Sequence, residues 1–210
     1  MLPRLQLIAL FVLVAVGTVV VYFAWTLPVA SLAGNRETRA DSVLESLGKP
    51  MDERFALVDH FGRQVGPGTF AGKVRLVFFG FTHCPDVCPT GLSLISLLLE
   101  ELGPAAKDVQ ALFVTVDPDR DTAAVLKEYV SVFGGGILGL TGTSQKIEAV
   151  TKAFSAYFKK VPQPSGDYTV DHTASVYLLD RDGSFRATID IHEKQDVALR
   201  KIRRVLASRS

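Results

Sequence analysis

Cys84 and Cys88 are the only cysteines in the 210-residue chain, with three residues between them in FTHCPDVCPT (81–90). Two thiols so placed can exchange with a disulfide, reduce a peroxide, form a local staple or hold a soft metal ion. A staple between residues this close removes little unfolded-state entropy, which leaves it the weakest role. Thiolate pairs select soft ions such as Cu(I) and also bind Zn(II). Zinc in a closed site takes four ligands, whereas copper accepts two or three. A third ligand is most simply an imidazole, and the chain has four: His60, His83, His172 and His192. His60 falls in a turn, His192 near a solvent-facing end, and His83 beside Cys84 on a strand end that points it away. His172 stands just before a long apolar run, in YTVDHTASVYLL (residues 168–179).

The elements around the thiols place them. KVRLVFFGF (73–81) is an apolar, β-rich run of the kind a buried strand shows, and GLSLISLLLEEL (91–102) is helical until Gly103-Pro104 stops it. Pro85 suits the first position of a helix, which would set Cys84 and Cys88 one turn apart on one face. A helix N-terminus lowers the pKa of a thiol near it. VQALFVTV (109–116) reads as a second buried strand, and DTAAVLKEYVSVF (121–133) as a helix capped by Asp121. GILGL (136–140) is extended, TSQKIEAVTKAFSAYF (143–158) helical, and ASVYLLDRDGSFRATI (174–189) two strands about Asp182-Gly183, before a basic amphipathic helix near 194–206. RFALVDHFGRQV (54–65) reads as a hairpin turning at DHFG. Asp117, Asp119 and Asp121 are spaced too tightly for a calcium loop and read as a turn and helix cap.

This order is α/β. It fits a thioredoxin-like fold with an extra N-terminal β-hairpin, in which reactive thiols sit where the first core strand enters a helix. The loop entering the third long strand then packs over the thiols. Thioredoxins place a cis-proline there; this chain has Asp171-His172-Thr173, so the imidazole is poised over both sulfurs.

The N-terminus is a separate matter. Residues 5–25, LQLIALFVLVAVGTVVVYFAW, carry no charge and are long enough to span a bilayer. They read as one retained transmembrane helix, preceded by a four-residue tail and followed by a linker over 26–50 and a domain over 51–210. A cleaved signal peptide would have a shorter apolar stretch. The expected site is the bacterial inner membrane, with the C-terminal domain on the periplasmic side. A net charge of +1, with no basic stripe interleaved with aromatics, does not point to a nucleic-acid partner, and none is expected.

From about residue 55 to the last helix the chain resembles the SCO/SenC family of membrane-anchored copper proteins. GFTHCPDVCP (80–89), VDPDRDT (116–122), LTGT (140–143) and VDHTASVYL (170–178) carry the resemblance. It implies copper, as Cu(I), Cu(II) or both, on Cys84, Cys88 and His172. It implies delivery of copper to, or reduction of thiols at, the binuclear CuA site of cytochrome c oxidase, with that enzyme's copper-receiving subunit as partner and a copper donor or thiol reductant upstream. Asp86 and Asp171 are expected beside the site, orienting the imidazole or offering a docking charge. The alternative is a thiol–disulfide oxidoreductase in which Cys84 attacks and Cys88 resolves. Peroxidase chemistry fits poorly, because a peroxiredoxin needs threonine three residues before its cysteine and Pro85 stands there for Cys88.

Overall fold

The structure, a computed structural model, describes Thr18, Tyr22 and residues 56–208 apart from Pro67, Gly135 and Ser165. The expected linker, and all of the expected membrane span except the helical Thr18 and Tyr22, lie outside the described residues. Among the described residues no helix is long and apolar enough to cross a membrane. Residues 1–46 and 47–210 form separate units, and the second carries the thiols and the sheet.

Among the described residues of this second unit, nine strands and four α-helices succeed one another. They are β1 (Leu57–Asp59), β2 (Gln64–Val65), β3 (Val74–Gly80), α1 (Val87–Leu102), β4 (Val109–Thr115), α2 (Ala123–Ser131), β5 (Ile137–Thr141), α3 (Ser144–Ala153), β6 (Phe158–Pro162), β7 (Tyr168–His172), β8 (Ser175–Leu179), β9 (Phe185–Asp190) and α4 (Gln195–Ala207). Seven strands form one sheet in the order β2-β1-β5-β4-β3-β8-β9. β3 runs parallel to β4 and β4 to β5, while β8 and β1 join antiparallel. This is the expected thioredoxin-like α/β sheet, extended by the N-terminal hairpin of β1 and β2.

β3 lies near the middle of the sheet and is buried along its whole length, which is why its sequence is apolar without alternation. Neighbouring side chains on a strand face opposite ways. Phe78 therefore meets α1 on one face, where Gly91 leaves no room for a Cβ: one would come within 2.6 Å of the Phe78 ring. Phe79 on the other face packs edge-on against Phe154 and Tyr177. The one charge in this strand, Arg75, is fully buried. Its guanidinium donates to the carbonyls of Phe70 and Arg181, fastening the strand's start to two turns.

α1 ends at Gly103, whose φ of 55° is left-handed backbone suited to glycine, and the chain continues as a 3-10 turn over Gly103–Asp108. The helical expectation for residues 143–158 ran long: α3 stops at Ala153. The chain then forms β6 and β7, a two-stranded antiparallel sheet of its own. This hairpin was expected to be loop. Its burial is shallow, so no apolar run or clean alternation marks it in the sequence.

Candidate metal centre

Gly80 ends β3, and Phe81, almost fully buried, starts a tight turn in which the Cys84 N–H donates to the Phe81 carbonyl at 3.2 Å. α1 begins only at Val87, with Asp86 at its N-cap. Pro85 was expected inside the first turn and instead lies before it. Cys84 is therefore not a helical residue. Its sulfur works as a cap, accepting the Cys88 main-chain N–H at 3.4 Å. That N–H belongs to the helix's first turn, where no carbonyl is available to take it. Cys88 is buried and Cys84 half-buried.

His172 closes β7. Its Nδ1 lies 3.0 Å from the Thr173 carbonyl and its Nε2 3.3 Å from Cys88 Sγ. A carbonyl can only accept, so in the neutral ring Nδ1 carries the proton and Nε2 turns its lone pair toward the sulfurs. Phe81 and Phe78 pack edge-on against the imidazole, with centroids 5.8 and 6.3 Å away. The two sulfurs and the imidazole nitrogen all lie within 4.8 Å of one another. Three ligands about 2.0–2.3 Å from one ion would be some 3.5–4 Å apart, so these atoms are positioned for a metal. Two soft sulfurs and one imidazole suit copper, and three ligands fall short of a closed zinc site.

Other residues singled out in the sequence take different places. Asp171 is exposed, and the imidazole's orienting hydrogen bond goes to Thr173. Asp86 is exposed; its carboxylate faces the Thr90 hydroxyl at 3.4 Å, and its main-chain N–H helps hold Cys84. His83 and His192 are exposed. His60, expected at the surface, is buried, with Nδ1 accepting the Gly139 N–H at 2.9 Å. Asp121 does not cap α2: Thr122 does, through the Val125 N–H. Asp121 is fully buried behind the thiol turn. It takes the Thr82 N–H at 3.0 Å and the Thr82 and Thr115 hydroxyls at 2.6 Å each.

The sulfurs divide one proton unequally. The hydrogen bond from Cys88 pulls the Cys84 thiol down to about 4, against its partial burial, with help from the Cys88 and Asp86 N–H groups. The same bond, burial and the Cys84 charge push Cys88 well above the usual thiol range. Cys84 is thus a thiolate at neutral pH while Cys88 keeps its proton. In the reduced, metal-free protein, Cys84 alkylation by iodoacetamide is expected to be nearly flat between about pH 6 and 8, because the thiolate fraction is already saturated. A tenfold rise per pH unit over that range would mean an ordinary thiol. Stability depends on pH with the same signs. The depressed Cys84 stabilises the fold above the unfolded thiol pKa, and that contribution fades as pH falls toward 4. The raised Cys88 stabilises below that pKa, and its share is lost as pH rises above it.

The sequence profile of the SCO1/SenC family matches residues 45–207. The chain belongs to the SCO1/SenC family. Among solved SCO1/SenC structures, Bradyrhizobium japonicum ScoI with copper bound is 44% identical, with a TM-score of 0.68 over 72% of this chain and 96% of that one. BsSco, described as having a disulfide switch and as a member of the Sco family of cytochrome c oxidase assembly proteins, is 25% identical. It gives a TM-score of 0.59 over 74% of this chain and 92% of that one. The sco1 protein of Schizosaccharomyces pombe is 38% identical over 154 residues, which are 71% of this chain and 59% of that protein. The chain thus spans under two thirds of the length of that relative.

Proposed function

We propose that this SCO1/SenC protein is a membrane-anchored copper chaperone that carries copper on Cys84, Cys88 and His172 and serves assembly of the CuA site of cytochrome c oxidase. The single observation that carries the reading is the convergence of two sulfurs and one imidazole nitrogen within 4.8 Å. The copper-bound Bradyrhizobium relative supports it. The anchor rests on the uncharged run over residues 5–25, and with it the periplasmic placement and the copper-receiving subunit of the oxidase as partner. Copper is cargo here: Cys84 offers a thiolate already formed, Cys88 gives up a proton on binding, and His172 offers Nε2.

The test is copper titration of the full-length protein in detergent, reduced and then oxidised. We expect one copper per chain with a thiolate-to-Cu(II) absorption band, lost on oxidation to the Cys84–Cys88 disulfide. His172→Ala should weaken binding by about 10–100-fold and shift the band. A reduced protein that binds no copper, or a His172→Ala variant with unchanged spectrum and affinity, would overturn the three-ligand site.

A second reading rests on the unequal sulfurs. The Cys84 thiolate can attack a partner's disulfide, forming a mixed disulfide and releasing one partner thiolate. Cys88 then gives up its proton and attacks Cys84, and the second partner thiolate leaves. Two electrons pass from the dithiol to the partner. Failure of the reduced protein to reduce an oxidised CuA-domain dithiol would remove this reading.

A further inference from the structure

The three donor atoms come from two pieces of chain that are not neighbours in any sheet. Cys84 and Cys88 stand on and just beyond the turn that leaves β3. His172 ends β7, which pairs with β6. Something must fix the gap between them, and the segment after β4 touches both.

On the thiol side, Asp121 grips Thr82, two residues before Cys84, at both N–H and hydroxyl. On the imidazole side, Arg120 reaches the hairpin. Its Nη1 donates to the Asp167 carboxylate at 3.2 Å and the Tyr168 carbonyl at 3.1 Å, and its Nε to Asp117. Its guanidinium lies over the Tyr168 ring at 3.8 Å and faces the Phe81 ring at 5.9 Å. Phe81 in turn packs on the His172 imidazole. Asp117, fully buried, also accepts the Tyr168 hydroxyl at 2.8 Å, and Lys160 of β6 bonds Asp119 at 2.7 Å. Arg120 thus lies between an aromatic ring of the hairpin and one of the thiol turn.

We infer that Arg120 is a positioning residue that sets how closely His172 approaches the two sulfurs, an inference that rests on the copper reading above. The geometry asks for arginine and not for charge alone. A forked, planar guanidinium can bond a carboxylate, a second carboxylate and a carbonyl while stacking on a ring; an ammonium cannot. Its Nη2 is buried with no hydrogen-bond partner among the described residues. A lysine would avoid that cost but would lose the plane and the fork. The carboxylate anchor beneath it is desolvated, which makes this pairing stronger than the exposed Arg200–Asp196 pair on α4.

The test uses Arg120→Lys and Tyr168→Phe in the full-length protein. Arg120→Lys keeps the charge and removes fork and plane; Tyr168→Phe removes only the hydroxyl on Asp117. In metal-free protein, amide exchange over residues 168–173 should rise about tenfold in Arg120→Lys and less in Tyr168→Phe, with β3 and α1 unchanged. In copper-loaded protein, release to a Cu(I) chelator should rise about tenfold or more. That increment should vanish when Arg120→Lys is made on a His172→Ala background, since the effect runs through the imidazole. Unchanged exchange in the hairpin, uniform loosening of the whole domain, or a release effect that persists without His172 would overturn the inference. A wild-type protein that binds no copper would instead sink the copper reading, and the metal-free exchange would still decide the role of Arg120.

Discussion

Replacing Gly80 by alanine is expected to break the metal site and cost about 1–3 kcal/mol of stability. A Cβ at residue 80 would stand 2.5 Å from Cys88 Sγ and 2.7 Å from the Phe113 ring, both below any normal contact. Both neighbours are fully buried, so either can move only by disturbing the packing around it. The Phe113 ring is also packed against Phe78 and Tyr129, at 6.2 and 5.6 Å. The sulfur is the smaller obstacle and will rotate away, taking it out of reach of His172 Nε2. Copper affinity should fall by about 10–100-fold, and urea denaturation should show the stability loss. The metal-free Cys84 thiol should also regain an ordinary pH profile of alkylation, since it loses its hydrogen bond from Cys88. A variant with wild-type midpoint and wild-type copper affinity would mean that β3 shifts easily, contrary to its packing on both faces.

The second large effect belongs to Asp121. Among the described residues its carboxylate has no cation against it; three donors from Thr82 and Thr115 hold it instead. Asp121→Ala would leave those donors unpaired in the interior, each costing about 1–3 kcal/mol, so a total loss of about 3–5 kcal/mol is expected. Asp121→Asn preserves the shape and one accepting oxygen and should cost roughly half as much. Thermal and urea unfolding measure both. An Asp121→Ala variant losing under about 1 kcal/mol would show that water replaces the carboxylate at no penalty. Because Thr82 precedes the thiol turn, the alanine variant should also loosen Cys84, read as faster disulfide formation in air.

Gly80 and Asp121 differ in how much of their role local sequence could reveal. The central strands were legible because burial on both faces leaves an unbroken apolar run, and the thiols were legible because their spacing and the helix after them are local. The place of His172 came from fold-level reasoning about the loop before β8. Asp121 was misread for a physical reason. Asp121 and Thr122 are both good caps side by side, and the choice between them is made by Thr82 and Thr115, which no local pattern can report. Arg120 and Tyr168 were missed in the same way, since the contacts that join them span 48 residues of chain. The hairpin of β6 and β7 escaped because its stability comes from those long-range ion pairs and ring contacts more than from an apolar face. His60 does lie in a turn, but its burial was not legible because its hydrogen bond runs to Gly139, across the sheet.

The last strand of the seven-stranded sheet has a consequence for how the protein behaves in concentrated solution. β9 is an edge, and an unpaired edge is a template on which another chain can add a strand. Here the Thr188 carbonyl is taken by Lys201 at 2.8 Å, and that ammonium is anchored by Glu193 at 2.7 Å. Arg186 on the same strand is tied back to the buried Asp180. Charged side chains fixed across the edge leave a neighbouring chain little to zip onto, so self-association through β9 is opposed by side chains of the edge and of α4.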